Sequence, residues 1–319
     1  MEHAKTDPKI IRSNLLLLLT AAIWGMAFVA QSVGMDYVGP FTFTASRSFI
    51  AALVLIPVIL FMNRNRQPAD RPAFADRVRA HGGKKLLSAG ISTGLALAAA
   101  SSLQQYGIMY TTVGKAGFIT ALYILIVPLF GLFLGKKVHA RIWLCIGIAI
   151  AGLYNLCMTD SLSLSGADIL LILCACTFSI QILLIDYYSP LVDGVIMAQL
   201  QFLVCGAACL IPALIIEHPS LGALMAAWKP ILYAGALSSG VGYTLQIAAQ
   251  KNTDPVIASL LMSLESAFSL LSGWVILHQR LSGRELLGCG LMFAAIMISQ
   301  APARKAKTQG KGKTPQQIG

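Results

Sequence analysis

Residues 255–277 read PVIASLLMSLESAFSLLSGWVIL, an apolar run of twenty-three residues in which Glu265 is the only charge. At about 1.5 Å per helical residue the run can cross a hydrocarbon core about 30 Å thick, with the acid about 15 Å from Pro255, close to the middle. A carboxylate at that depth costs about 3 kcal/mol even on mild insertion scales, so it requires a partner, a water-filled cavity or a proton. Ala258, Met262, Ser269 and Ser272 follow helical spacing around it, giving one face small groups and hydroxyls that a neighbouring helix or a ligand can approach. Two roles fit the acid: a group acting in transport, and a neutral carboxyl hydrogen-bonded to a neighbour as packing glue.

The whole chain points the same way. Of 319 residues, 56% are hydrophobic and 12% charged, and the mean hydropathy is +0.73; these values describe an integral membrane protein. The net charge of +11 does not indicate nucleic acid, because the basic residues lie between and beyond apolar runs rather than in one aromatic-interleaved patch. Cys145, Cys157, Cys174, Cys176, Cys205, Cys209 and Cys289 lie inside apolar runs without a CxxC pair, and read as small core residues. His3, His81, His139, His218 and His278 fall in tails or at segment ends, so no intramembrane metal site or cofactor is expected. Gly131 to Lys136 has the glycine spacing of a phosphate loop, but Lys137 replaces the hydroxyl residue, which argues against direct ATP drive. The absence of a second intramembrane carboxylate argues against acid/base hydrolysis.

Ten runs qualify as membrane helices: Asn14 to Met35, Phe41 to Met62, Leu86 to Ile108, Val113 to Leu134, Ile142 to Thr159, Asp168 to Ile185, Gly194 to Ile216, Pro230 to Gln250, Pro255 to Leu277 and Gly283 to Gln300. The tenth is among the shortest, and nine spans result if it does not insert. The first is long enough to be a retained span rather than a signal peptide. Asn63 to Lys85 is a basic loop, with a short surface helix expected from Pro72 to His81. With the N-terminus inside, nineteen of the twenty-four Lys and Arg fall on the cytoplasmic side, which predicts ten spans with both termini cytoplasmic.

Sliding the chain by 142 residues superposes Leu103-Gln104 on Leu245-Gln246, Thr111 on Thr253, Ala116 on Ala258 and Gly131 on Gly273. Five spans per copy is odd, so the second copy enters from the opposite side. The expectation is an all-α polytopic membrane protein of ten transmembrane helices in two inverted five-helix repeats, at 14–159 and 160–300, with tails at 1–13 and 301–319.

Beside Glu265, candidate cavity residues are Arg47, about 9 Å into its helix by helical rise, then Gln104 and Tyr106 in the third run, Gln181 in the sixth and Gln246 in the eighth. Arg47 fits two roles equally, holding an anionic group and snorkelling to headgroups. Gln199 and Gln201, like Gln181, suit interhelical hydrogen bonding as well as ligand contact. Trp24, Tyr123 and Trp274 are deep aromatics expected to pack, although ring walls also suit an apolar or aromatic solute. Gly90-Gly94-Ala98, Gly131-Gly135 and Gly147-Ala151 form small-residue ridges for close helix approach.

These residues resemble the EamA-type transporters of the drug/metabolite transporter superfamily, over roughly Asn14 to Gln300. Ile23-Trp24-Gly25 resembles the first-helix signature, Thr44-Ala45-Ser46-Arg47 the second-helix arginine pattern, and Ala116-Gly117-Phe118-Ile119-Thr120 through Pro128 the fourth helix. Ser263-Leu264-Glu265-Ser266 running on to Gly273-Trp274 and Leu281 is similar to the "slEp…lgw…gErl" run of the ninth. Ser266 replaces the usual proline, which suggests a straighter ninth helix, and Gln279 replaces the second acid. The resemblance implies a central cavity and movement of a small metabolite, such as an amino acid or related compound, across a bacterial-type inner membrane, with protons as a candidate coupling ion and no nucleic acid partner. Solute, direction and oligomeric state are left open. The rival reading is a non-transporting scaffold or a lipid-modifying enzyme.

Overall fold

The protein, described by a computed structural model over residues 8–64, 83–110, 113–136, 138–157, 165–277 and 282–300, folds entirely through helices there. In chain order they are α1 (Pro8–Met35), α2 (Pro40–Arg64), α3 (Gly83–Tyr110), α4 (Val113–Ala121), α5 (Tyr123–Phe133), α6 (Ala140–Cys157), α7 (Gly166–Tyr188), α8 (Gly194–Pro212), α9 (Leu221–Ala226), α10 (Trp228–Leu232), α11 (Thr244–Gln250), α12 (Pro255–Met262), α13 (Glu265–Leu277) and α14 (Gly283–Gln300). Two π-helical stretches complete the path: Ala213–Glu217 extends α8, and Tyr233–Tyr243 joins α10 to α11. The expected surface helix from Pro72 to His81, most of the basic loop, the C-tail and Gln279 lie outside the described residues.

Polar residues mark several helix starts. Ser165 and Asp168 form a reciprocal capping box at α7, while Asp193 and Asp254 accept backbone N–H bonds at the starts of α8 and α12. Pro255 follows Asp254 as the first helical residue, where its missing N–H costs nothing. Between such ends the apolar composition is sorted in an unusual sense for a globular protein. Leu15, Leu19, Met26 and Val33 of α1 are exposed, while Thr20 and Gln31 of the same helix are buried. Arg47, Gln104, Gln181, Gln201, Gln246 and Glu265 are buried as well. An apolar exterior around polar interior groups is what lipid selects.

Among the described residues seven helices are long and apolar enough to cross a membrane, and Ala140–Asn155 and Leu286–Ser299 are shorter apolar helices. The stretch Pro230 to Gln250 is helical in pieces, with π geometry from Tyr233 to Tyr243, and so forms no single long α-helix. The molecule is a polytopic α-helical membrane protein.

Two helical passes are interrupted near their middles. Leu122 separates α4 from α5, with tightened bonds from Leu122 N to Ile119 O (3.2 Å) and from Leu125 N to Leu122 O (2.9 Å). Ser263 and Leu264 separate α12 from α13. The expectation of a straighter ninth helix is therefore corrected: it breaks immediately before Glu265 without a proline. Serine chemistry accounts for this, since Ser259 and Ser263 hydroxyls bond the carbonyls of Val256 and Leu260, each at 2.8 Å, and compete with the helical ladder. Three-residue bonds from Leu264 N to Leu261 O (3.3 Å) and from Ser266 N to Ser263 O (3.2 Å) take over at the break.

Helices from the two halves of the chain interlock: α3 packs on α7 and α8, α2 on α8 and the π stretch, α1 on α13, and α6 on α14. Gly90 and Gly94 give α3 its close seat, since a Cβ there would lie 2.5 Å from Leu200 Cβ or 2.7 Å from Val204 Cβ. The ridge expected at Gly147 is different. Nothing lies near Gly147, and α6 meets α14 through Gly152 instead, where a Cβ would lie 2.9 Å from the Gly288 carbonyl.

Candidate functional site

The break before Glu265 places that residue at the start of α13, buried at 4% exposure. Its Oε1 accepts a hydrogen bond from the Tyr123 hydroxyl at 3.1 Å, and Tyr123 itself begins α5 directly after the other break. The bonded residues are 142 positions apart, which is the repeat offset. Gly25 of α1 lets this region close up: a Cβ there would lie 2.5 Å from Phe268 Cβ and 2.7 Å from the Glu265 carbonyl.

Both side chains face a cavity of about 460 Å³ of empty space, of which only about 30 Å³ can take the centre of a water molecule. That is room for roughly two waters, so a solute of metabolite size enters only if the walls part. Trp24, Arg47, Gln104, Gln181, Gln246 and Glu265 all line it. Tyr106 does not: it is partly exposed and meets the Phe41 ring edge-on at 5.4 Å, a correction to its expected place in the wall. The reason is angular, since Gln104 and Tyr106 are two residues apart on α3 and project in different directions.

Arg47 is also 4% exposed. Its guanidinium donates to Gln31 Oε1 at 3.2 Å and lies 6.0 Å from the centroid of the Phe43 ring. Among the described residues neither Arg47 nor Glu265 forms an ion pair, although both border one cavity. A cation and an ionisable carboxyl thus border one cavity without a bond between them. Aromatic rings border the same cavity: Trp24 packs on Tyr243 with centroids 4.6 Å apart and donates its indole N–H to the Ser238 carbonyl at 3.1 Å. Gly242 is required by that contact, because a Cβ would lie 2.6 Å from the indole nitrogen.

The amides divide by role. Gln181 donates to Gln201 at 3.3 Å and Gln199 to the Ala52 carbonyl at 3.3 Å, bridging helices. The Oε1 atoms of Gln181 and Gln246 are buried without a protein partner, and both residues border the cavity. Trp274, expected to be deep, is 51% exposed on the outer face. Gln31, Phe28, Phe178 and Ser238 line the cavity without having been singled out in the sequence, whereas Met262, on the expected face around Glu265, lines it too. For α1 the signal was present: Trp24, Phe28 and Gln31 fall at positions i, i+4 and i+7 on one face.

A second, far roomier cavity is bordered by Val127, Lys136, Arg141, Leu183, Asp254 and Val256. Val127 is one turn beyond Tyr123 on α5, and Leu183 follows Ile182 of the central cavity on α7. The larger space is therefore a vestibule stacked against the smaller one. At its edge Lys136 pairs with Asp186 of α7.

Comparison with known proteins places this geometry. Residues 11–158 and again 165–300 match the EamA-like transporter family. An uncharacterized transporter of Archaeoglobus fulgidus is 26% identical over 295 residues, covering 91% of this chain and 86% of the relative. The uncharacterized transporter YoaV of Bacillus subtilis is 21% identical over 298 residues, covering 91% and 97%. A crystal structure superposes with a TM-score of 0.72 at 17% identity, over 90% of this chain and 96% of the other, a likeness that shows the fold alone. With the family matched along both halves of a polytopic helical protein, the chain is a membrane transporter belonging to the EamA-like transporter family.

Proposed function

We propose that the protein is a secondary transporter or facilitator that moves a small zwitterionic metabolite, an amino acid or related compound, across a bacterial-type inner membrane by alternating access. The observation that carries this reading is the buried arginine and the buried ionisable carboxyl, Arg47 and Glu265, bordering one cavity without pairing to each other. Arg47 would take the carboxylate of the solute, and Glu265, with the free amide oxygens of Gln181 and Gln246, would take its ammonium group. The rings of Trp24, Tyr243 and Phe178 would flank an apolar or aromatic side chain. With no solute bound, Glu265 could carry a coupling proton.

The architecture in this reading is ten spans in two inverted five-helix halves, with both termini cytoplasmic. It is supported by the two matched segments, by helix breaks at Leu122 and Ser263–Leu264, and by the bond between residues one repeat length apart. The constricted central cavity beside a wide vestibule supports a cycle in which access changes sides.

The test is counterflow in liposomes with a panel of amino acids, their decarboxylated amines and their N-acylated acids. Exchange of zwitterions, lost in Arg47→Gln and in Glu265→Gln while both variants stay monodisperse, is the expected result. Equal transport of the amines and the zwitterions would remove Arg47 from the site. No exchange of any panel member would remove amino acids and their relatives as the solute class.

A further inference from the structure

At the far end of the molecule from the vestibule, a carboxylate bonds the two halves of the chain beside the apolar cluster of Val38, Phe43, Ala227 and Ile231. Glu217 closes the π stretch after α8, and the next residue, His218, takes a left-handed backbone with φ of 47°. The Glu217 Oε1 accepts the N–H of Phe41 at 2.9 Å and its Oε2 accepts the N–H of Thr42 at 2.7 Å. These are the first two N–H groups of α2, because Pro40 has none, and the helix offers them no partner of its own. A carboxylate there also meets the positive end of the helix dipole. The fit is close: a Cβ on Gly39 would lie 2.3 to 2.6 Å from the carboxyl atoms of Glu217. Phe41, beside the clasp, is covered by the edge of Tyr106.

Helix connectivity fixes which end this is. Gly194–Glu217 begins a short turn after α7, whose last residues include Asp186 at the vestibule, and runs 24 residues to the clasp. At about 1.5 Å per residue the two contacts lie about 35 Å apart along the helix. The wide vestibule thus lies at the Lys136–Asp186 end and the Glu217 contact at the other.

We propose that Glu217 is the gate on the side away from the vestibule. Bound to the start of α2, it holds the first half against the second there and positions Arg47, two turns farther along the same helix. When the clasp releases, α2 moves away from the end of α8 and the cavity opens on that side. The π geometry of Ala213–Glu217 supplies the local slack, since an added residue in a helical turn is readily absorbed or expelled. This gate rests on the transport reading, but its test needs no solute.

The experiment places a single cysteine at Gln104, a cavity wall residue, in an otherwise cysteine-free full-length protein in oriented membranes. A membrane-impermeant thiol reagent is then applied from each side. Glu217→Ala should raise the labelling rate from the Glu217 side by about tenfold, the low end for hydrogen bonds to a charged group. Labelling from the vestibule side should not rise. Glu217→Gln retains one acceptor oxygen and should fall between. Gly39→Ala, which forces the carboxylate off the helix start, should raise labelling on the same side and serves if the alanine variant fails to fold. Unchanged labelling in Glu217→Gln and Gly39→Ala overturns the gate, as does a rise from both sides, which would mark general loosening. One-sided labelling with no transported solute would leave the clasp in place and remove the transport reading; transported solute with unresponsive labelling would remove the gate alone.

Discussion

Arg47 and Glu265 share a cavity but not a bond, and their neighbours decide what each substitution does. Replacing Glu265 by Gln keeps a group that can accept from Tyr123, so folding should survive while transport falls by more than about tenfold, the least that loss of a charged contact in a dry site costs. Detergent monodispersity and counterflow, measured on the same preparation, separate the two effects. Tyr123→Phe is the complementary test: it leaves the carboxyl buried without its hydroxyl donor and should destabilise the protein by about 1 to 3 kcal/mol, seen as a lower melting temperature. How far these roles were legible follows from geometry. A lone acid in an apolar run announces itself, as does an arginine. A tyrosine hydroxyl does not, because whether Tyr123 packs or donates depends on which helix stands opposite. Tyr106 failed for the converse reason, its polarity being visible and its direction not. Gln31, the neutral amide that receives the arginine, could have been found from its spacing to Trp24.

Helices are legible as apolar runs, but their interruptions are not. The run Pro230 to Gln250 shows no feature in its hydropathy that distinguishes π from α geometry, and the break before Glu265 is set by serine hydroxyls competing for carbonyls. The break makes Ser266 a first-turn residue of α13, a position that tolerates proline. Ser266→Pro should therefore cost about 1 to 3 kcal/mol, for two lost bonds, that of its N–H to the Ser263 carbonyl at 3.2 Å and that of its hydroxyl to the Gly117 carbonyl at 3.3 Å; a larger drop in melting temperature would contradict this. Gly25→Val acts by collision instead. Its added carbons collide with Phe268 and the Glu265 backbone, forcing α1 off α13 at a cost of about 1 to 3 kcal/mol, with transport impaired in whatever folds.

Across the whole molecule, charge distribution and an odd number of runs per half led to the expected topology, while the meeting of the halves required three dimensions. The Lys136–Asp186 pair is a case in point: with side chains 40% and 22% exposed, Asp186→Asn should change stability by less than about 1 kcal/mol, measurable as a melting shift that salt diminishes. On the inverted-repeat reading, Tyr123 and Glu265 occupy equivalent positions and touch across the boundary between halves. Two separate, identical five-helix chains assembled the same way would have to set tyrosine against tyrosine or carboxyl against carboxyl at that contact, and the second choice would bring like charges together in hydrocarbon. Joining both halves in one polypeptide releases the position from self-complementarity. One copy becomes a hydrogen-bond donor and the other an acid, so the centre of the protein holds a single ionisable carboxyl with a dedicated neighbour.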